Sequence, residues 1–280
     1  MGKADLHTHT TASDGAVKPE DLIKRANEKG LKTLSITDHD TIKGYKLAKP
    51  VAKELGIELL TGVELTALWE NREVHILGYC FDEDNPGMLK LLGAQKRARR
   101  KRMDLIVDHL KSKGVDIDIE EVKAEAGRGN IGRPHAAEVM VNKGIVASIG
   151  EAFIRYLSSE KLEDIQTDYS SLRNVVEVVQ QAGGAVSLAH PGRLYSAAEV
   201  DKMITFGLDG IECIHPSHNF TVQRNFSKKA STNNLLVTGG SDFHGKGKSD
   251  YDPYFGIVTL GEQHVMALKR LAQRRKELTI

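Results

Sequence analysis

The sequence predicts an α/β protein in which a parallel barrel is interrupted by a helical insertion, and three observations carry that expectation. From residue 3 to about 81, and again from about 170 onward, short apolar β-branched runs alternate with helical patterns, the rhythm of parallel βα units. Between about 82 and 168 helical periodicity dominates and convincing strands are absent. His, Asp and Glu collect at the downstream ends of the apolar runs, and in parallel α/β barrels functional groups lie where strands end and the following loops begin. A chain of 280 residues is long enough for one barrel of ordinary size or for a smaller barrel carrying an insertion.

The chain opens with Asp5-Leu6-His7-Thr8-His9. Residues two apart on an extended strand point to the same face, so His7 and His9 offer two imidazoles to one metal ion. Asp14 adds a hard oxygen after a short polar turn. Pro19 suits a first helical turn, and Gly30 lies just past the end of that helix. The run 33–37 leads into Asp38-His39-Asp40, and a second helix covers much of 42–55, where Pro50 signals a kink or a late start. The run 57–61 leads into Gly62-Val63-Glu64, and 73–81 reads as a strand with His75 near its start.

The insertion begins with a helix over about 86–113 that carries Lys96, Arg97, Arg99, Arg100, Lys101 and Arg102. A solvated helix face is the first explanation of this run, and an electrostatic funnel for phosphate-rich substrates is the second. Gly127-Arg128-Gly129-Asn130-Ile131-Gly132 fits G-x-G-x-x-G, but it follows a helical pattern over 120–126 instead of a strand, so it reads as a loop and not as a dinucleotide site. That loop delivers Arg133 and His135 to the start of a helix running to about 142. An arginine fork suits a phosphate, and a helix N-terminus favours negative charge. The alternative is that Arg133 pairs with a carboxylate of the insertion and His135 caps the helix.

After 170 the pattern gives a helix to 181, a strand to His190, a helix over 197–206, a strand over 210–214, a helix over 220–232 and a strand ending at Thr238. Ala189-His190-Pro191 and Gly239-Gly240-Ser241-Asp242-Phe243-His244 stand at strand ends, and Asp242 and His244 repeat the spacing of His7 and His9. Arg193 shares the loop of His190, within reach of a substrate phosphate. The strand end Ile214-His215-Pro216-Ser217-His218 offers one of its histidines either to substrate or to the turn. Gly240 to Gly247 approaches a P-loop, but Gly247 stands where Ser or Thr must ligate magnesium. His109 and His264 lie in helical surface contexts and are given no function.

Nine candidate ligands result: His7, His9, Asp14, His39, Glu64, His75, His190, Asp242 and His244. One tetrahedral zinc needs fewer, so two or three divalent ions sharing a bridging carboxylate are expected. The mixed imidazole and carboxylate set suits Mn, Zn or Fe. With 39 Lys+Arg against 38 Asp+Glu, the net charge of +1 announces no global attraction to nucleic acid, and anion recognition has to be local. Cys80 and Cys213 sit in apolar runs and read as free buried thiols, without a disulfide framework. No signal peptide and no run of about 18 apolar residues is read at the N-terminus or elsewhere, so the expected location is the cytoplasm.

His7-Thr8-His9, Thr37-Asp38-His39-Asp40, Gly62-Val63-Glu64, His75, Ala189-His190-Pro191 and Gly240-Ser241-Asp242-Phe243-His244 together resemble the PHP (polymerase and histidinol phosphatase) family over nearly the whole chain. The resemblance implies a distorted (β/α)7 barrel formed by residues 1–81 and 169–280, with 82–168 as a helical insertion domain. It implies phosphoester hydrolysis by metal-bound hydroxide, with Glu64, Asp242 and His190 at the catalytic centre. Glu64 would bridge two ions ringed by His7, His9, His75, His190 and Asp242, while Asp14, His39 and His244 hold a third; Mn stands ahead of Zn, Fe or Mg. Gly132-Arg133-Pro134-His135-Ala136-Ala137 and the segment from Gly183 to Pro191 resemble the members that dephosphorylate 3′,5′-nucleoside bisphosphates and trim short RNA. On that likeness Arg133, His135 and Arg193 contact substrate, and the partner is a small phosphorylated nucleotide or short RNA, with no membrane and no obligate protein partner; His218 is expected to contact substrate from its strand-end position alone. Histidinol-phosphate phosphatase is the alternative enzyme, and a non-catalytic metal-binding module is the alternative of another class. Asp38 and Asp40 are read as acceptors for ligand histidines or as loop caps. Residues 161–169 depart from the bisphosphatase pattern and leave the substrate open.

Overall fold

The computed structural model of the chain describes residues 2–192, 194–245 and 249–278. It is a mixed α/β fold. The first part runs β1 (Lys3–Asp5), α1 (Pro19–Glu28), β2 (Leu31–Ser35), α2 (Lys43–Leu55), β3 (Glu58–Leu60), β4 (Gly62–Trp69) and β5 (Arg72–Tyr79). Helices α3 (Pro86–Ser112), α4 (Ile119–Ala126), α5 (Arg133–Asn142) and α6 (Ile149–Ala152) come next, with a π-helical turn at Phe153–Leu157 and a 3-10 turn at Glu160–Leu162. Alternation then resumes with α7 (Leu172–Gln181), β6 (Ala185–Leu188), α8 (Ala197–Ile204), β7 (Gly210–Ile214), α9 (Phe220–Thr232), β8 (Leu236–Gly239), β9 (Leu260–Gly261) and α10 (Glu262–Leu278).

The strands pair in two sheets, in the orders β3-β2-β1-β9 and β4-β5-β6-β7-β8. Beyond the assigned strand ends, further backbone hydrogen bonds join the segments that carry the candidate ligands. The amide of Leu6 donates to the Gly239 carbonyl at 3.2 Å, that of Asp242 to His7 at 2.9 Å and that of His9 to Phe243 at 2.8 Å. On the other side Thr37 donates to Thr8 at 2.8 Å and Glu64 to Thr37 at 3.0 Å.

The pairing corrects the expectation of uniformly parallel units up to residue 81. β4 and β5 form an antiparallel hairpin, from Gly62 opposite Tyr79 to Trp69 opposite Arg72, and β5 is also antiparallel to β6. The two turn residues Glu70 and Asn71 both have positive φ, 48° and 62°, which matches the right-handed twist of the flanking strands in a two-residue hairpin. Glu64 therefore lies inside an eight-residue strand and not at the end of the preceding run, because the chain leaves β3 at Thr61 and starts a new strand in the other sheet.

Helix α3 joins two apolar regions. Its first turns place Met88, Leu91 and Leu92 in one apolar cluster with Val63 and Leu65 of β4 and Val179 of α7. Met103, Ile106, Val107 and Leu110, spaced along one face, instead enter a separate cluster with Val122, Ala136, Met140 and Leu157. Asn85 caps the start, accepting from the Met88 amide at 3.1 Å, and at 27 residues the helix is about 40 Å long. The change of partner falls between Leu92 and Met103, where Arg99 and Arg102 project towards the candidate site.

Candidate metal centre

The extended chain after β1 carries His7 and His9, which converge as their two-residue spacing requires, with Nε2 atoms 3.1 Å apart. Glu64, buried on β4, lies at the centre of the cluster. Its Oε2 is 3.3 Å from His7 Nε2, 3.2 Å from His9 Nε2 and 3.3 Å from His39 Nδ1. Its Oε1 is 2.9 Å from both His75 Nδ1 and His190 Nε2. Asp242 Oδ1 lies 3.3 Å from His7 Nε2 and 3.2 Å from His9 Nε2. Asp14 approaches His9, His39 and His244 at 3.6 to 3.7 Å.

All nine sequence-derived candidates thus meet in one place, and they form overlapping groups that could hold metal ions: His9, Asp14, His39 and His244; His7, Glu64 and His190; His39, Glu64 and His75. His7, Asp242 and His215 form one further group. The donor chemistry fits divalent cations. His9 Nδ1, Asp14 Oδ1 and His39 Nδ1 are buried side-chain atoms without a hydrogen-bond partner, a costly arrangement for polar atoms unless an ion takes them up.

The electrostatics point the same way. Burial pushes the Glu64 carboxyl up, but the imidazoles of His39, His75 and His7 outweigh it and hold the group well below the ordinary carboxylate range. Burial likewise opposes ionisation of Asp242, and His7 and His244 hold it well below its usual value. Burial works against protonation of His9, yet Asp242 and Glu64 push its pKa up to about 10. In effect, clustered carboxylates hold protons on the His7, His9 and His190 rings, where a cation would otherwise supply the positive charge, while burial keeps His39 neutral.

Two contributors lay outside the sequence-derived set. Glu212, fully buried on β7, accepts from His7 Nδ1 at 2.9 Å and from the His190 amide at 2.7 Å, orienting two of the clustered residues at once. Its signal was a single carboxylate inside the apolar run Gly210-Ile211-Glu212-Cys213-Ile214. His215 places Nε2 3.4 Å from Asp242 Oδ2. Its strand-end position in Ile214-His215-Pro216-Ser217-His218 is its signal in the sequence, where His218 is the histidine expected to contact substrate. His218 instead bonds backbone with both nitrogens, to the Cys213 carbonyl at 3.0 Å and the Gly192 amide at 2.9 Å, which is the turn-stabilising arrangement.

Asp38 and Asp40 do not bond ligand histidines. Asp38 accepts from the Thr10 amide, the Thr10 hydroxyl and the Ser13 hydroxyl, each at 2.7 Å, and so closes the loop after His9. Asp40 accepts from the Thr66 amide at 2.9 Å and from Arg99 at 2.5 and 2.9 Å. That contact corrects the reading of the α3 basic run as a solvated face. Lys96, Arg97, Arg100 and Lys101 are exposed, whereas Arg99 and Arg102 turn inward, Arg99 to Asp40 and Arg102 to Glu73.

A chamber of about 180 Å³ opens between the cluster and helices α3 and α5. Asp14, His39, His75 and His244 form one side of it, and Arg99, Arg102, Arg133, Glu73, Phe153 and Tyr169 the other. Arg133 donates to the Leu157 carbonyl at 3.1 Å and the Ser159 hydroxyl at 3.3 Å, and its guanidinium lies over the Phe153 ring. The π-helical turn at Phe153–Leu157 supplies two of these partners. His135 Nδ1 accepts from the Gly132 amide at 3.0 Å, capping α5. Arg193 lies outside the described residues.

A carboxylate hub ringed by imidazoles, next to a chamber walled by guanidiniums, defines the class as a metal-dependent phosphoesterase. A sequence model of the PHP domain matches residues 5–182. Over 247 residues the chain is 38% identical to a 5′-3′ exoribonuclease of Haemophilus influenzae, covering 86% of this chain and 90% of that one. It is 30% identical over 258 residues to a 3′,5′-nucleoside bisphosphate phosphatase of Chromobacterium violaceum, with 90% of each chain covered. The crystal structure of a candidate metal-dependent phosphoesterase from Bifidobacterium adolescentis superposes with a TM-score of 0.86 at 34% identity, over 96% of both chains. The chain belongs to the PHP family, and it is a hydrolase of phosphate esters. No helix among the described residues is long and apolar enough to cross a membrane.

Proposed function

We propose that this enzyme removes the 3′-phosphate from 3′,5′-nucleoside bisphosphates and also trims short RNA from its 5′ end. The observation that carries the reading is the chamber: three arginines face the clustered carboxylates across a space fit for an anion. Two of those arginines are already matched by Asp40 and Glu73, which leaves the Arg133 guanidinium to meet a second phosphate. Activities named for the two relatives, on a nucleoside bisphosphate and on RNA, support the same substrate class.

The residues that would hold two or three divalent ions are His7, His9, Asp14, His39, Glu64, His75, His190, Asp242 and His244, to which we add His215. Mn is our first choice, with Zn, Fe or Mg as alternatives. Such ions lower the pKa of bound water towards neutrality and neutralise charge on phosphoryl oxygens. The chain's own part is to fix this geometry. Glu212 holds the His7 and His190 segments, Asp38 closes the loop behind His9, and Asp40 fixes Arg99 at the chamber wall. We give His135 and His218 positioning roles, on α5 and on the turn after β7, and leave Arg193 as a proposed phosphate contact.

We read the two sheets as one distorted (β/α)7 barrel, supported by the hydrogen bonds that tie Leu6, His7 and His9 to Gly239, Asp242 and Phe243. Residues 82–168 are assigned to an insertion domain, supported by the separate apolar cluster of α3 to α6. A cytoplasmic location is supported by the two free cysteines.

Phosphate release from a 3′,5′-nucleoside bisphosphate, a 5′-mononucleotide and histidinol phosphate, measured side by side with Mn²⁺, tests the reading. Strong preference for the bisphosphate is expected. Preference for histidinol phosphate would leave the metal cluster intact and remove the account of the chamber, while release from none of the three would sink the assignment.

A further inference from the structure

The clustered ligands border a second cavity. It measures about 430 Å³ and meets the centre through His190, His215 and Asp242, sharing none of its described lining with the arginine chamber. Its volume falls within the roughly 300–1,000 Å³ of small-molecule sites, whereas the arginine chamber at about 180 Å³ falls below that range.

The two walls differ in chemistry. Leu194 projects into it with 55% of its surface exposed, and Tyr251 stands edge-on to the His215 ring at 5.2 Å. Ser217 completes the wall next to His215, with its hydroxyl 2.8 Å from His215 Nδ1. An aromatic ring and an exposed aliphatic side chain beside a phosphate-processing centre suit a nucleobase, which binds by stacking and by loss of apolar surface. A phosphatase confined to monoesters needs no such room beside the scissile phosphate.

We propose that the cavity formed by Leu194, Ser217 and Tyr251 holds the nucleoside joined through O5′ to the scissile phosphate when RNA is trimmed. This rests on the reading above, in which the terminal phosphate is held in the arginine chamber. Bond changes are the same for both substrates. A water oxygen bonds to phosphorus, the P–O3′ bond breaks with its electron pair going to O3′, and O3′ takes up a proton as the water loses one. From a monoester the products are inorganic phosphate and a free 3′-hydroxyl. From a diester they are a 5′-mononucleotide and a shortened chain with a new 5′-phosphate, the group the arginine chamber takes next.

The test compares a 3′,5′-nucleoside bisphosphate with the 5′-phosphorylated diribonucleotide that begins with the same nucleoside, using full-length protein loaded with Mn²⁺. The wild type is expected to cleave both. Leu194→Trp, which fills the cavity, is expected to lower the ratio of diester to monoester kcat/KM about tenfold or more. Tyr251→Ala is expected to raise the KM for the diribonucleotide severalfold more than that for the bisphosphate. Cleavage of the bisphosphate alone would overturn the inference together with the RNA-trimming half of the reading above, and leave its phosphatase half standing. Cleavage of neither would remove both. A ratio unchanged in both variants, or equal losses on the two substrates, would also overturn it.

Discussion

At the scale of single residues, one carboxylate organises the centre. Glu64 reaches five imidazoles with its two oxygens, and several groups around it sit on unusual backbone. His190 and Asp242 have φ of 29° and 51°, a region that non-glycine residues enter only when their surroundings hold them there. Glu212 is part of that restraint. Glu212→Gln should retain the fold yet weaken metal affinity about 10–100-fold, because a neutral amide orients His7 less strongly than a carboxylate. Metal titration by calorimetry measures it, and unchanged affinity would remove Glu212 from this role. The cysteines give a pH prediction. Burial pushes the Cys80 thiol up to about 11 and Cys213 up to about 12, from an ordinary 9.0. The native state therefore favours the protonated thiols, a contribution present below pH 9 and lost as pH rises through 11 to 12. At pH 8 a thiol reagent should modify the native protein slowly and the denatured protein fast, and quick reaction of the native form would contradict the burial argument.

Among the elements, the β4–β5 hairpin and α3 do most to build the site. The hairpin brings Glu64 and His75 to one centre, and α3 carries Arg99 and Arg102 to its rim. Helix α2 contributes through a contact that requires glycine. A Cβ on Gly44 would fall on the Asp38 carboxylate and 2.7 Å from Thr10 Oγ1, and Asp38 is pinned by three hydrogen bonds and cannot move aside freely. Gly44→Ala should cost about 1–3 kcal/mol, as overpacking does, and should also lower turnover through the displaced loop after His9. Thermal unfolding with a parallel activity assay checks this, and a variant as stable and active as the wild type would show that the loop adapts. Helices α1 to α5 and α7 to α9 were legible in the sequence to within about two residues, since their apolar spacing is local, whereas α6 and α10 were not delimited. The hairpin was not, because Glu70-Asn71 lacks the glycine that usually announces such a turn.

For the whole molecule, stability and metal binding should be linked. Buried carboxylates and imidazoles that lack full hydrogen-bond partners destabilise the metal-free fold, and ions that bind only the folded chain stabilise it by mass action. At an ion concentration of a hundred times Kd, each site should contribute about 2.7 kcal/mol. Adding Mn²⁺ should therefore raise Tm, and a chelator should lower it; a Tm indifferent to both would argue against the cluster as a metal centre.

The sequence by itself determined nine of the residues gathered at the centre. Histidines and carboxylates keep their chemistry wherever the chain places them, and the two-residue spacing of His7 with His9 settles a shared face at short range. The tertiary structure alone decided the rest. That Glu64 stands at the hub, that Glu212 and His215 join the cluster and that Arg99 and Arg102 leave the solvated side of α3 all depend on contacts between residues distant along the chain. Local periodicity records which residues alternate or recur, but the face that ends up buried is selected by what packs against it, and here Arg99 of α3 meets Asp40 while Glu212 of β7 meets His7, both far away along the chain.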